Sequence, residues 1–297
     1  MSERPAVVII GPGVVGQTLG ILAARAGYEV AAVGAREQAK ARAAAERIGP
    51  GVFAGGMEDA AARGELILLT VSDDAIEPVC RRLAEVGAVP VGSVVAHCSG
   101  AQGSGILAAA RDRGAAVGSM HPLQTFPDVE AALEKAGGTF FFCEGDEPAV
   151  ERLTALAEAV GGLPKVLSPS GKLLYHASAV MACNYLNALL DAALATAEHA
   201  GITREDAAEA LAPLVRATVE NVLSAGPAGA LTGPVARGDE RLVARQYRDV
   251  AAADRNLGEI YRRLGWWTVE VALRKGTLDE AGARSMRAIF EFGGSDG

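Results

Sequence analysis

Apolar and polar positions follow one rhythm over the first part of the chain and another over the rest. Short apolar runs occur at residues 6–10, 29–33, 65–71, 93–97, 115–119, 138–143 and 163–167, with a weaker one near 51–54. Each is too short for a helix and is bounded by Gly, Pro, Asp or Ser, so each predicts a strand. Between them lie stretches of helical period, such as 14–26, closed by Gly27, and the Ala-rich 37–47. Short apolar strands alternating with helices predict an α/β Rossmann domain, a doubly wound and mostly parallel sheet. Ligands of such sheets lie outside the carboxyl ends of the strands.

After 163–167 the strand signal stops. Ser168-Pro169 is a helix start, with Ser as the N-cap and Pro at the first helical position. From there onward the pattern is helical, with breaks expected at Gly201, across 226–238 and at Gly265. The chain therefore divides into a dinucleotide-binding domain, 1–165, and an all-α C-terminal domain, 166–297. The second domain is expected to serve substrate binding and dimerisation.

Composition narrows the function. Half of the 297 residues are hydrophobic, and the formal net charge is −8. A pI near 5.2 argues against a nucleic-acid surface or an anionic membrane as partner. Cys80, Cys98, Cys143 and Cys183 show no CxxC spacing, so no metal site is expected. The apolar run at 6–10 meets glycine at once, unlike a signal peptide. No apolar stretch is read as approaching the roughly 18 residues of a membrane span. The expectation is a cytoplasmic protein with reduced thiols.

The segment Gly11-Pro12-Gly13-Val14-Val15-Gly16 follows the first strand and opens the first helix. In that context GxGxxG is a dinucleotide fingerprint. Gly11 allows the tight turn, Gly13 lets the backbone approach a pyrophosphate, and Gly16 lets helix and strand pack closely. The helix N-terminus, at Val14 and Val15, offers free N–H groups to the phosphates. The second strand leads into Val33-Gly34-Ala35-Arg36, with no carboxylate before Glu37. An NAD site usually places an acidic residue there. Gly34 is expected to leave room for a phosphate and Arg36 to pair with it, with Lys40 and Arg42 adding positive charge. The expected cofactor is NADP(H). Thr70-Val71-Ser72-Asp73 ends the fourth strand beside the adenosine side, where its polar groups serve as helix caps as readily as ligand contacts.

Two more strand ends carry polar residues. His97-Cys98-Ser99-Gly100 follows one strand, and Met120-His121-Pro122 follows the next. Ser99 and His121 are candidates for a substrate oxygen or the nicotinamide ribose, while His97 reads as structural. On the helix that begins at Ser168-Pro169, residues Lys172, His176, Ala179, Cys183 and Asn187 share an arc of about 80°. A mostly buried helix with one such stripe suggests a cleft wall. Lys172 sits where the helix dipole disfavours a cation, so another group, such as a bound carboxylate, is expected to compensate it. A snorkelling surface Lys beside a buried His is the alternative.

This plan resembles the 6-phosphogluconate dehydrogenase-like superfamily, with its 3-hydroxyisobutyrate-type dehydrogenases, ketopantoate reductases and pyrroline-carboxylate reductases. In several members a catalytic Lys lies early on the first interdomain helix, with an Asn four residues later. Lys172 matches that Lys, whereas His176 stands in the Asn place. Ser99-Gly100 resembles the Ser-Gly element that these enzymes place near the substrate. Four segments resemble a narrower bacterial oxidoreductase-like family: 97–101, 121–126, 172–185 and 232–239. Its members pair a Rossmann-like domain with a C-terminal domain of unknown function, and the resemblance covers nearly the whole chain.

The resemblance implies an NADP-dependent oxidoreductase, and the residues suggest a small carboxylate-bearing keto, hydroxy or imino acid as its substrate. The most specific version is ketopantoate reductase-like. Lys172 would give or take a proton at the carbonyl oxygen, and His176, His121 and Ser99 would orient that oxygen. Gly100 and Asn187 would complete the substrate site. Arg237, between Gly233-Pro234 and Gly238-Asp239, would grip the acid group from its own or a partner subunit, or simply pair with Asp239. Trp266-Trp267 is read as helical core or dimer contact. The rival is an NADP-binding sensor or interaction protein without turnover, and a third reading has a deazaflavin as redox partner.

Overall fold

The computed structural model describes residues 4–292. Eight strands form one sheet: β1 (Val7–Ile10), β2 (Val30–Gly34), β3 (Phe53–Gly55), β4 (Leu66–Leu69), β5 (Val94–His97), β6 (Ala116–Pro122), β7 (Phe140–Gly145) and β8 (Leu163–Val166). Their order is β3-β2-β1-β4-β5-β6-β7-β8. All pairings are parallel except β6 with β7. The predicted doubly wound, mostly parallel sheet is present.

Both faces of the central strands are covered, which explains why their sequences are uninterrupted apolar runs. Val7 and Ile9 of β1 join Leu66, Leu68, Val94 and Ala96 in one buried cluster with helices α1 (Val14–Arg25), α2 (Gln38–Ile48) and α7 (Glu147–Ala159). Val8 and Ile10 face the other way, with Ile67, Leu69 and Val95. There they meet α3 (Met57–Ala61), α4 (Asp73–Glu85) and α5 (Ala108–Arg111). The period of two along each strand sorts its residues between the faces. Helix α6 (Val129–Glu134) packs on α1.

The remainder is helical: α8 (Lys172–His199), α9 (Arg204–Ala230), α10 (Glu240–Ala253), α11 (Arg255–Lys275) and α12 (Glu280–Phe292). Val243, Val269, Ala272, Met286 and Phe290 form a core among α10, α11 and α12. Gly265 does not break a helix as expected. It lies inside α11, where a side chain would collide with the Phe290 ring. Two breaks are unforeseen: one at Asp254, whose Oδ1 accepts the N–H groups of Asn256 and Leu257 at 2.7 and 3.0 Å and so starts α11, and one at 276–279, between α11 and α12.

Two readings of α8 change. The chain divides into two compact units between Ala182 and Cys183, whereas the pattern changes from strand to helix at 165/166. The first turns of α8 bond to strands β6 and β7 and so belong with the sheet. Second, α8 with its preceding turn is long and apolar enough to cross a membrane by length and composition. Polar residues such as Ser178, Asn184 and Asp191 had hidden this in the sequence. Nor is the helix mostly buried. Leu173, Leu174, Met181 and Tyr185 are exposed.

Candidate functional site

Strand β1 delivers Gly11 to the carboxyl edge of the sheet with φ 95°, a conformation that glycine adopts without steric cost. A Cβ at Gly11 would lie 2.6 Å from Val71 Cγ1. The Thr70 hydroxyl donates to the Gly11 carbonyl at 2.7 Å and clamps the turn. A Cβ at Gly16 would lie 2.5 Å from both the Gly11 carbonyl oxygen and Thr70 Oγ1. Gly11 and Gly16 therefore serve packing. Gly13 is different, because a Cβ there meets nothing within 4 Å and would project into open space. Helix α1 starts at Val14 with no side-chain cap, so the N–H groups of Val14, Val15 and Gly16 lack helical acceptors. They supply donors and a positive dipole end to an anion.

Beside this turn lies a cleft of about 720 Å³, lined among others by Gly11, Gly13, Arg36, Thr70, Val71 and Ser72. Ser72 precedes α4 without capping it through its side chain. These residues fit a dinucleotide diphosphate: free N–H groups, a glycine that opens the approach, and a cation at the far end. Lys40 bonds Glu37 at 2.8 Å, and that hydrogen bond draws the Glu37 carboxyl below its usual range. Arg36 is exposed and has no ion pair among the described residues. Gly34 does not leave room for a phosphate. Its Cβ would lie 2.7 Å from Ile10 Cδ1 and 2.9 Å from Ala60 Cβ, so its small size admits α3 instead.

Further along the same edge lie Asp73, which opens α4 after β4, Ser99, which follows β5, and His121, near the end of β6. Ser99 is not free for a substrate. Its hydroxyl donates to Asp73 Oδ2 at 2.8 Å and accepts from the N–H groups of Ala101 and Gln102 at 3.2 and 3.1 Å. One donor and two lone pairs are thereby filled, which makes Ser99 a staple for its own loop. Gly100 is packed tightly by its neighbours and has no room for a side chain, since a Cβ there would lie 2.5 Å from His176 Nδ1 and 2.8 Å from His121 Nε2. The two imidazoles thus converge on one point, with ring centroids 6.0 Å apart. His176 Nδ1 is buried without a hydrogen-bond partner. On its other side His121 Nδ1 meets the Tyr175 hydroxyl at 2.8 Å, and the Tyr175 ring packs on Phe142 at 4.2 Å.

Lys172 departs most from expectation. It is 2% exposed and neither lines an open cleft nor snorkels. Its ammonium donates to Ser119 Oγ and lies 3.5 Å from Glu144 Oε1. Glu144 is fully enclosed and also accepts from the Ser104 N–H and hydroxyl, both at 2.8 Å. The compensating carboxylate is therefore internal. Sequence reasoning missed Glu144 because its link to Ser119 is a register pairing across the antiparallel β6–β7 strands. Tyr175 was also missed as a site residue; its signal was a helical spacing of three from Lys172 on a helix whose rotation was unknown.

Asn187 and Arg237 belong to the second compact unit. Asn187 is exposed and donates to the Cys183 carbonyl at 3.3 Å. Arg237 is exposed and does not pair with Asp239, which caps α10 by accepting from the Leu242 N–H at 3.1 Å. Trp266 packs partly against the helical core, while Trp267 is exposed.

Burial, followed by the Lys172 charge, brings His97 and His121 down to about 4 from 6.5. The folded protein holds both neutral between pH 6.5 and 4, where the unfolded chain protonates them. Stability from these groups is complete above 6.5 and falls as pH drops through that window. The slope is up to about 1.4 kcal/mol per pH unit for each imidazole. Urea midpoints at pH 7 and pH 5 measure it, and His121→Phe is expected to flatten the difference.

Family models match the chain over residues 1–122 as a Rossmann-like domain and over 139–267 as a domain of unknown function, DUF2520. No curated protein matches. Among solved structures, protein TM1727 from Thermotoga maritima is 25% identical, with a TM-score of 0.74 over 91% of this chain and 100% of that one. A reductive aminase from Aspergillus terreus, in complex with NADPH and ethyl-5-oxohexanoate, is 20% identical, with a TM-score of 0.63 over 97% and 99%. An imine reductase from Pseudomonas sp. is 18% identical, with a TM-score of 0.63 over 97% and 99%. At such identity the two enzymes share the fold with this chain.

Proposed function

We propose that this chain, which joins a Rossmann-like domain to a DUF2520 domain, is an NADP(H)-dependent oxidoreductase of a small keto, hydroxy or imino acid. Its most specific form is ketopantoate reductase-like. The observation that carries the cofactor reading is the cleft: uncapped N–H groups at the start of α1, open space at Gly13, and Arg36 without an ion pair among the described residues. The Val14, Val15 and Gly16 N–H groups would hold the diphosphate, Arg36 the 2′-phosphate, and Val71 and Ser72 the wall beside it. When bound, the nicotinamide supplies hydride chemistry. The reductive aminase and imine reductase that share the fold favour including C=N beside C=O substrates. The candidate for gripping the substrate carboxylate is exposed Arg237, whose planar guanidinium suits bidentate binding.

Fluorescence titration with NADPH and NADH tests the cofactor, and equal or tighter NADH binding would refute the preference. Arg36→Ala is expected to weaken NADPH by about 10-fold or more, about 1.4 kcal/mol, and to leave NADH within twofold. NADPH oxidation against a panel of 2-keto, 3-keto and imino acids tests turnover.

The proposal extends to a cytoplasmic homodimer formed through the helical region. Its support is the exposed apolar surface of the helical unit, where Leu223 on α9 is 81% exposed. A large exposed apolar patch marks an interaction surface. Light scattering should give twice the chain mass, and Leu223→Lys should shift the protein towards monomer.

A further inference from the structure

We propose that His121, oriented by Tyr175, is the group that hydrogen-bonds the reacting oxygen or nitrogen of the substrate, and that Lys172 is a positioning residue paired internally with Glu144. This rests on the oxidoreductase reading and assigns the roles within it.

The case against a reacting Lys172 is geometric. Its ammonium lies between Ser119 and Glu144, with both charged side chains shut off from water. Moving it to a substrate would leave the Glu144 carboxylate buried and unpaired, a strongly unfavourable state. What the pair does instead is tie elements together. Glu144 on β7 holds Ser104, in the segment that follows Ser99 and Gly100, and Lys172 holds β6 through Ser119. The next turn of α8 carries Tyr175 and His176. Lys172 thus fixes the rotation of α8 that brings both residues to His121.

The case for His121 is its place and its tautomer. It stands at the carboxyl end of β6, on the edge that also carries the Gly11–Thr70 turn. The groups around it are Tyr175, His176 and Lys172 from α8, Asp73 from α4 and His97 from β5. The Tyr175 hydroxyl lies 2.8 Å from His121 Nδ1, and under this proposal it is the donor to that nitrogen of a neutral imidazole. The ring proton of His121 then sits on Nε2, the nitrogen that converges with His176 Nδ1 on Gly100. A neutral imidazole can polarise a carbonyl through an N–H donor without charging.

The test combines turnover on the keto and imino acid panel with NMR of the His121 ring nitrogens in the full chain. His121→Phe should lower kcat by 100-fold or more and leave NADPH affinity within twofold. Lys172→Met combined with Glu144→Gln, which removes both charges together and loosens the tie on α8, should lower kcat by about tenfold, less than His121→Phe. The ring nitrogen shifts should report the Nε2–H form from pH 5 to 9, and Tyr175→Phe should abolish that preference. Loss of turnover in the charge-free double variant equal to that of His121→Phe would overturn the assignment. So would a proton found on Nδ1. Parent protein without turnover on the panel, but with the Nε2–H form and its dependence on Tyr175, would refute the oxidoreductase reading while upholding the His121–Tyr175 pair.

Discussion

Lys172→Ala is expected to destabilise the protein by about 3–5 kcal/mol, enough to lower the thermal midpoint by roughly 10 °C. The reason is the fully enclosed carboxylate of Glu144, which keeps its hydrogen bonds to Ser104 but loses its counter-charge. Marginal folds hold only about 5–15 kcal/mol in total, so the loss should also appear in yield and protease resistance. The charge-free combination of Lys172→Met and Glu144→Gln should recover most of it, because a buried pair removed together is often nearly neutral. Thermal melts of the three proteins at pH 7 separate the cases. A single Lys172→Ala variant as stable as the parent would show that the two groups are not paired.

Gly13→Val should weaken NADPH binding by about 100-fold or more, equivalent to about 2.7 kcal/mol, with little change in the thermal midpoint of the free protein. Open space surrounds the Cβ position at Gly13, so the side chain has nothing in the fold to strike. It would instead fill the approach to the free N–H groups of α1. Gly16→Val should behave differently. Its Cβ would run into the Gly11 carbonyl and the Thr70 hydroxyl, so stability and binding should fall together. Titration calorimetry and a melt on each variant distinguish obstruction of a ligand from disruption of the turn. Unchanged NADPH affinity in Gly13→Val would remove this cleft as the cofactor site.

The sheet was legible because its signal is local. Val7–Ile10, Leu66–Leu69 and Val94–His97 are short apolar runs whose ends coincide with turn residues. The glycine turn was legible for the same reason. Gly34 was misread because its neighbours Ile10 and Ala60 are distant in sequence. Ser99 was misread because its saturation depends on Asp73, at the start of α4 and distant in sequence. Lys172 was correctly singled out as a charge needing compensation, but the identity of the partner depended on the antiparallel register of β6 and β7. Polar patterning on α8 could place Lys172 and His176 on one stripe. It could not show that the stripe leaves the sheet-bound unit before Asn187.

That division inside α8 bears on how such a protein can be taken apart or recombined. A fragment ending where the strands end, near residue 165, would strip Glu144 of its cation and His121 of Tyr175. One ending at Ala182 would retain both. The structural module is therefore the sheet together with the first turns of the following helix, and a graft of a foreign helical domain has to be spliced within that helix rather than at the linker before it.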